Sequence, residues 1–326
     1  MMIQIILAIV SSIVLIGVVS TQYKEVDRLH RTTRLEAIDQ RLAGTYSVMN
    51  DFPGSAGRDV LILGNFPGTL TADRQTVMED LQRVMERSSQ YLEVYIAIYQ
   101  PPCVFSVPRP EESSAKPVCL STVDPAITEA LSKTTMLSVG DVYVSRLMMY
   151  RGRTVLLYGT RITRVHGGIV TVVDANYMLD EVRRLARDGE TVVLVANDGS
   201  YLAHPNRSKE KLTGSTANFY DDFPTLPKSS LADTTLHRQE TNDTIFTFWR
   251  MHPTASNFAL YEGANKLLGK GYENDEYWTM VSVSKKSPAR VLWQSQSYLI
   301  AVTMVILFHL LMIALLPMPV RKRRNV

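Results

Sequence analysis

Residues Gly167 to Pro205 read GGIVTVVDANYMLDEVRRLARDGETVVLVANDGSYLAHP. The stretch opens on a β-branched apolar run, continues with apolar residues at helical spacing up to a glycine, and closes on two apolar runs joined through Asn197-Asp198-Gly199. The expected order is strand, helix, hairpin. A hairpin fixes the register of its strands, so this segment ends one sheet and begins another. One α+β module is expected before the helix around Tyr177 to Arg187, and a second after it.

Working outward, Tyr91 to Tyr99 (YLEVYIAIY) alternates and should begin the first sheet. Asp124-Pro125 should open a short helix through Leu131. Asp141 to Leu147, Thr154 to Arg161 and Gly167 to Ala175 read as strands, with turns at Arg151-Gly152 and His166-Gly167-Gly168. Downstream, Thr244 to Met251, Ser256 to Glu262 and Glu276 to Ser284 supply further strands, and Asn218 to Asp233 reads as polar, proline-punctuated loop.

At the ends, Met1 to Ser20 carries no charged side chain and Tyr298 to Leu316 is apolar but for Thr303 and His309. Each is long enough to cross a hydrocarbon core of roughly 30 Å, so both are candidate transmembrane helices. His309 is either a protonation switch or a neutral donor to a neighbouring helix. Between the first span and Asp51, the residues Leu35, Ile38, Leu42, Thr45, Tyr46 and Met49 step by three and four, which predicts a long amphipathic helix stopped at Asp51-Phe52-Pro53-Gly54. Thr71 to Ser88 should form another helix, capped by Thr71.

Charge and cysteine content bound the setting. A net charge of +3, with no aromatic residues interleaved among basic clusters, gives nucleic acid no support. Arg321-Lys322-Arg323-Arg324 after the second apolar segment argue for a cytoplasmic C-terminus, while Lys24, Arg28, Arg31 and Arg34 after the first argue the other way. Long domains translocate with little regard to charge, so the centre is placed outside the cell membrane and both termini in the cytoplasm. The two cysteines, Cys103 and Cys119, flank a proline-rich stretch (PPCVFSVPRPEESSAKPVC) that reads as neither strand nor long helix. In an oxidising compartment they are expected to staple it, and they are too few for a zinc site.

In chain order, the motifs GRDVLILGNFPGTL (Gly57 to Leu70), VGDVYVSRL (Val139 to Leu147), GGIVTVVDANYML, VLVANDGSYLAHPN, DDFP (Asp221 to Pro224) and EYWTMVSVSKKSPA (Glu276 to Ala289) resemble the double Cache, tandem PAS-like extracytoplasmic sensor domains. These stand at the N-termini of bacterial chemoreceptors, histidine kinases and diguanylate cyclases. The resemblance implies an α+β chain: a transmembrane helix over 1–20, a signalling and dimerisation helix over 21–50, a membrane-distal PAS-like module over 51–176, a membrane-proximal one over 177–290, a second transmembrane helix over 293–317, and a basic cytoplasmic tail over 318–326. It also implies antiparallel sheets, a homodimer, and an anchor in the bacterial inner membrane with a periplasmic centre.

For chemistry, the sequence has no G-x-S-x-G, no H-E-x-x-H and no glycine-rich phosphate loop, and the six histidines are scattered. No enzyme, cofactor or metal is expected. The resemblance puts Asp174, at the end of GGIVTVVD, where amine-binding relatives pair an aspartate with a ligand ammonium; equally, Asp174 reads as a cap for the following helix. If alternation holds, Tyr143, Ser145, Tyr158 and Arg161 line the same concavity, or else they are ordinary strand packing. Amino-acid-binding relatives carry an Arg-x-Trp-Tyr element ahead of these strands, and the corresponding PVCLSTVDPAITEALSK has neither arginine nor tryptophan. Arg146 or Arg161 stand as geometric substitutes. The missing element removes the specific case for an amino acid, and the ligand class stays open among an amine, an amino acid, an organic acid and no small molecule at all. His204 in YLAHPN is expected to bond backbone at a turn. Only PMPVRKRRNV follows the second apolar segment, so signalling is expected to run through a separate membrane partner or an output domain of a longer protein. The alternative function is a non-catalytic scaffold that docks another protein.

Overall fold

The computed structural model describes residues 2–65, 74–99, 102–108, 118–162, 166–187, 189–233, 237–251, 267–269, 277–286 and a few positions between 300 and 311; of 1–16 it describes no side chains. Among the described residues no helix is long and apolar enough to cross a membrane. The apolar side chains of Met1 to Leu15, most of Tyr298 to Leu316, the tail and the expected strand Ser256 to Glu262 lie outside that description. Residues Arg41–Ser284 form one compact unit, and Met1–Gln40 with Lys285–Val326 form another.

Helix α1 runs Met2–Gly64 and does not stop at Pro53. Proline in a helix interior costs about 3 kcal/mol through the lost N–H and the clash of its ring. Here Met49, Phe52, Ala56, Val60, Leu61 and Leu63 are all buried at 5 % exposure or less along the same stretch. At about 1.5–3 kcal/mol for each large apolar side chain, that burial outweighs the proline. The helix therefore carries through the point where sequence reading ended it.

The first sheet contains β1 (Tyr91–Tyr99), β2 (Pro102–Pro108), β3 (Val142–Val144), β4 (Met148–Tyr150), β5 (Arg153–Ile162), β6 (Gly167–Asp174) and β11 (Leu267–Gly269). Its order is β11-β3-β5-β6-β1-β2, with β4 paired to β5. All pairs are antiparallel except β11 with β3, which is parallel. The Arg151-Gly152 turn joins β4 to β5, and both residues have positive φ, 46° and 79°, as a two-residue hairpin requires. Helix α2 (Arg74–Arg87) contacts β1 and β2, and α3 (Pro125–Thr134) contacts β1, β3, β5 and β6. Asp124 caps α3 by accepting the Ala126 N–H at 2.8 Å, as aspartate before an N1 proline should.

Strand β2 corrects the reading of the cysteine stretch. Its two prolines fall at the strand's ends, on the sheet's edge, where a missing donor is tolerated. Between them Cys103, Phe105 and Val107 are buried in alternation. The expected disulfide is present: Cys103 and Cys119 are joined, with Cα atoms 5.3 Å apart.

The second sheet contains β7 (Glu190–Ala196), β8 (Tyr201–Ala203), β9 (Arg238–Glu240), β10 (Thr244–Met251) and β12 (Trp278–Lys285), in the order β8-β7-β12-β10-β9. Helix α4 (Asn176–Arg184) links it to the first sheet, and the hairpin β7–β8 turns through Gly199 at φ 81°. Part of the expected polar loop is instead core. α5 (Phe219–Asp222) drives Phe219 to zero exposure against Tyr201, Phe223 and Phe246. The fold is thus α+β, with a long N-terminal helix and two sheets.

Candidate functional site

One face of the first sheet carries most of the chemistry. On β1 the residues Glu93, Tyr95, Ala97 and Tyr99 alternate onto one side. Register aligns Tyr95 with Val170, Tyr143 with Gly159 and Tyr150 with Arg153, so tyrosines from β1, β3 and β4 meet on that side under α3. Helix α3 comes down where the sheet has no side chains. A Cβ at Gly168 would sit 1.9 Å from Thr134 Oγ1, and one at Gly159 would sit 2.8 Å from Thr134 Cγ2. The two glycines let α3 seat its last turn directly on β5 and β6, and Tyr99 ties it there by donating to the Leu131 carbonyl at 3.2 Å.

Away from that contact lies a hydroxyl relay. The Tyr150 hydroxyl donates to Glu93 Oε2 at 2.8 Å, and the Tyr95 and Tyr150 hydroxyls are 2.7 Å apart. With the Tyr150 proton committed to the carboxylate, Tyr95 is the donor to Tyr150. Glu93 is 4 % exposed and paired with Arg151 at 3.1 Å, whose guanidinium also stands 5.0 Å over the Tyr150 ring. Burial first, and the Glu93 charge after it, raise the Tyr95 hydroxyl to about 12 against the opposing effect of the Tyr150 hydroxyl beside it. Tyr150 is pushed up by burial first, then by Tyr95 and Glu93. Both phenols are therefore neutral donors at any physiological pH.

Tyr143 sits in the same cluster at 8 % exposure, with its hydroxyl raised by desolvation.

The other expected site residues are distributed unevenly. Asp174 lies on the same face, opposite Val155. Its Oδ1 accepts the Asn176 N–H at 2.9 Å, as a cap would, and its Oδ2 pairs with Arg153 at 3.3 Å. Arg161 is exposed at the far end of β5, opposite Gly168. The Ser145 hydroxyl is spent on backbone, accepting from Leu157 N–H and donating to the Arg146 carbonyl, both at 2.8 Å. Arg146 is exposed.

Tyr158 does not join them. Register pairs it with Val144 while Tyr143 pairs with Gly159, and cross-strand partners share a face, so Tyr158 points to the opposite side of the sheet. The shared-concavity expectation joined Tyr158 to Arg161, which stand three positions apart on β5 and so on opposite faces.

Sequence reading did not single out Glu93, Tyr95, Tyr150 or Arg151. The signal was present in YLEVYIAIY, where Glu93 is the one charge in an apolar run and Tyr95 shares its face at i+2.

In the second module the comparable face is filled by Phe219, Phe246, Phe248 and Tyr201. Its polar residues serve structure. His204 accepts the Asn206 N–H on Nδ1 at 2.8 Å, the turn role expected of it. Among the described residues no group of three or more His, Cys, Asp or Glu side chains is placed to hold a metal ion.

The long N-terminal helix and the two sheets of this chain have counterparts in solved structures. The extracellular domain of a protein described as a histidine kinase, vpHK1S-Z8, superposes with a TM-score of 0.54 at 14% identity, covering 78% of this chain and 95% of that one. A domain of a sensory box/GGDEF family protein from Vibrio parahaemolyticus gives 0.52 at 15% identity, over 75% of this chain and 94% of that one. The sensory domain of the Campylobacter jejuni chemoreceptor Tlp3 gives 0.50 at 11% identity, over 77% and 92%. At such identities the likeness is one of fold, and it is the fold implied by the double Cache resemblance. No family model and no curated protein matches the chain in sequence.

Proposed function

We propose that this chain is a membrane-anchored, extracytoplasmic sensing module that takes a small molecule on the α3-covered face of its first sheet. The observation that carries the reading is the tyrosine cluster under α3, where Tyr143 stands at 8 % exposure on the same face as the Tyr95–Tyr150–Glu93 relay. Such a face presents a donor at Tyr143 and acceptors at Tyr95 and Glu93, which suits an amine, an amino acid or an organic acid. Asp174 and Arg161 are the charged groups at its two ends. The proposed roles by segment are a span over 1–20, a first sensing module over 51–176, a second module over 177–290 that relays, and a second span over 293–317. In this reading the centre is periplasmic, two chains pair, and the signal passes through a partner or an output domain.

The fold shared with the extracellular domain of vpHK1S-Z8 and the sensory domain of Tlp3 supports this reading. Ligand binding shifts the equilibrium between two arrangements only by its differential affinity for them. The test is a thermal-shift panel of amines, amino acids and organic acids on the full chain in detergent, repeated with Tyr143→Phe. A compound that raises the melting temperature with log concentration in the native chain and not in the variant establishes the site.

A second reading, a scaffold that docks another protein, is favoured by Met136 and Val139, which follow α3 at 79% and 65% exposure. A silent ligand panel together with a partner crosslinked through position 136 would select it.

A further inference from the structure

The contact between α1 and the second sheet differs in kind from its contact with the first. At the first sheet α1 is locked by shape: a Cβ at Gly64 would lie 2.9 Å from Thr160 Cγ2, and Asp59 accepts the Tyr91 hydroxyl. At the second sheet α1 meets a polar seam. Along β12, Val281 and Val283 enter the aromatic core, which leaves Ser282 and Ser284 on the opposite face. Glu190 of β7 is on that face too, directly opposite Ser284, while Ser282 is opposite Val192.

Glu190 is 8 % exposed and uses both oxygens. Oε2 takes the Arg41 guanidinium of α1 at 2.5 Å, and Oε1 takes the Ser282 hydroxyl at 2.7 Å. The hydroxyl of its own cross-strand partner, Ser284, is buried at 2 % and has no hydrogen-bond partner among the described residues. Thr247 Oγ1 on β10 is in the same condition at 2 % exposure. A buried hydroxyl without a partner is costly, and native proteins tolerate few of them. Here a single carboxylate, tied to α1, has two serine donors in reach of its strand pair and uses the more distant one.

We propose that Glu190 is a two-position catch. Its carboxylate bonds Ser282 in the present arrangement and passes to Ser284 when α1, carrying Arg41, slides along β12 toward the strand's C-terminal end. The exchange breaks one serine–carboxylate bond and makes one, so the two arrangements are close in free energy, and the buried charge stays paired with Arg41 in both. Successive same-face residues on a strand are roughly 6.8 Å apart, which bounds the stroke. The first-sheet contact stays fixed while the second-sheet contact slips. The inference does not depend on which ligand, if any, the first sheet takes.

The test uses the full chain with spin labels at Ser47→Cys on α1 and Asn242→Cys in the β9–β10 turn, both exposed positions, while the native disulfide keeps Cys103 and Cys119 from reacting. Inter-label distances and melting temperatures are measured for the labelled chain and for added Ser282→Ala, Ser284→Ala, both together, and Ser282→Thr. Ser284→Ala should leave the distance unchanged and the melting temperature equal or higher. Ser282→Ala should shift the distance by a few ångströms, within the roughly 6.8 Å bound, with a small loss of melting temperature because Ser284 takes over. The double variant should then lose more than the sum of the single losses, by roughly 2–4 °C. Ser282→Thr, which keeps a hydroxyl, should match the native chain in both readouts. Additive losses, or an unchanged distance in Ser282→Ala, overturn the proposal.

Discussion

Tyr150 donates its hydroxyl proton to the buried carboxylate of Glu93 at 2.8 Å, across a sequence separation of 57 residues. A carboxylate at 4 % exposure depends on such bonds, since water reaches little of it. Tyr150→Phe should therefore destabilise the chain by about 1–3 kcal/mol, the range for leaving a buried acceptor short of a donor. Tyr95→Phe, one step further along the relay, should cost less. Urea titration of both variants checks the order, and equal losses would show that the relay is not directional.

Gly168→Ala should force α3 off the sheet. The added methyl would stand 1.9 Å from Thr134 Oγ1, so something must move, and overpacking of this kind costs about 1–3 kcal/mol. Thr134→Ala removes the clashing hydroxyl and should recover part of that loss in the double variant. Chemical denaturation around the four-variant cycle gives the coupling, and a cycle with no coupling would place the strain elsewhere.

Arg183 of α4 and Glu210 form a bidentate pair, 2.7 Å at both contacts, with side chains 8% and 6% exposed. Removing either partner strands a buried charge, at about 3–5 kcal/mol. Arg183→Met combined with Glu210→Leu should be milder than either single change. Melting curves of the three variants decide this, and the prediction is lost if the double variant is the weakest.

Acidification should weaken the second module through His204. Burial first, and the Lys209 charge second, hold its proton affinity below the ordinary value of 6.5. The folded state thus binds fewer protons than the unfolded state, so this contribution is complete above about pH 6.5 and is lost as pH falls through the lower folded value. Protonation also takes the lone pair on Nδ1 that accepts the Asn206 N–H. Melting temperatures between pH 8 and pH 5 should fall on the acid side, and His204→Asn should flatten that limb.

Much of this fold was legible in the sequence because its signals are local. The Asn197-Asp198-Gly199 hairpin, the Arg151-Gly152 turn and the Asp124-Pro125 helix start each follow from a few adjacent residues, and all three are present. The misreadings came where distant packing outweighs local preference. Pro53 breaks helices in isolation, and here the buried face on both sides of it carries α1 through. Pro102 and Pro108 argue against a strand until the edge position of β2 is known. Of the expected site residues, Tyr143, Asp174 and Arg161 share one face of the first sheet. Tyr158 is three positions from Arg161 on β5, so alternation along that one strand already puts the two on opposite faces.

The pairing of Leu267–Gly269 with Val142–Val144 makes the two sheets interleaved in chain order. A ribosome delivers β3 long before β11, with the β7 to β10 strands of the second sheet emerging in between. The growing chain must therefore hold the β3 edge open while the residues between Val144 and Leu267 are made. An open strand edge is a template for the wrong neighbour, and contacts this distant in sequence form slowly. Cutting the chain after the first module would leave the same edge permanently bare, so a fragment ending near residue 176 is expected to aggregate where the longer chain does not.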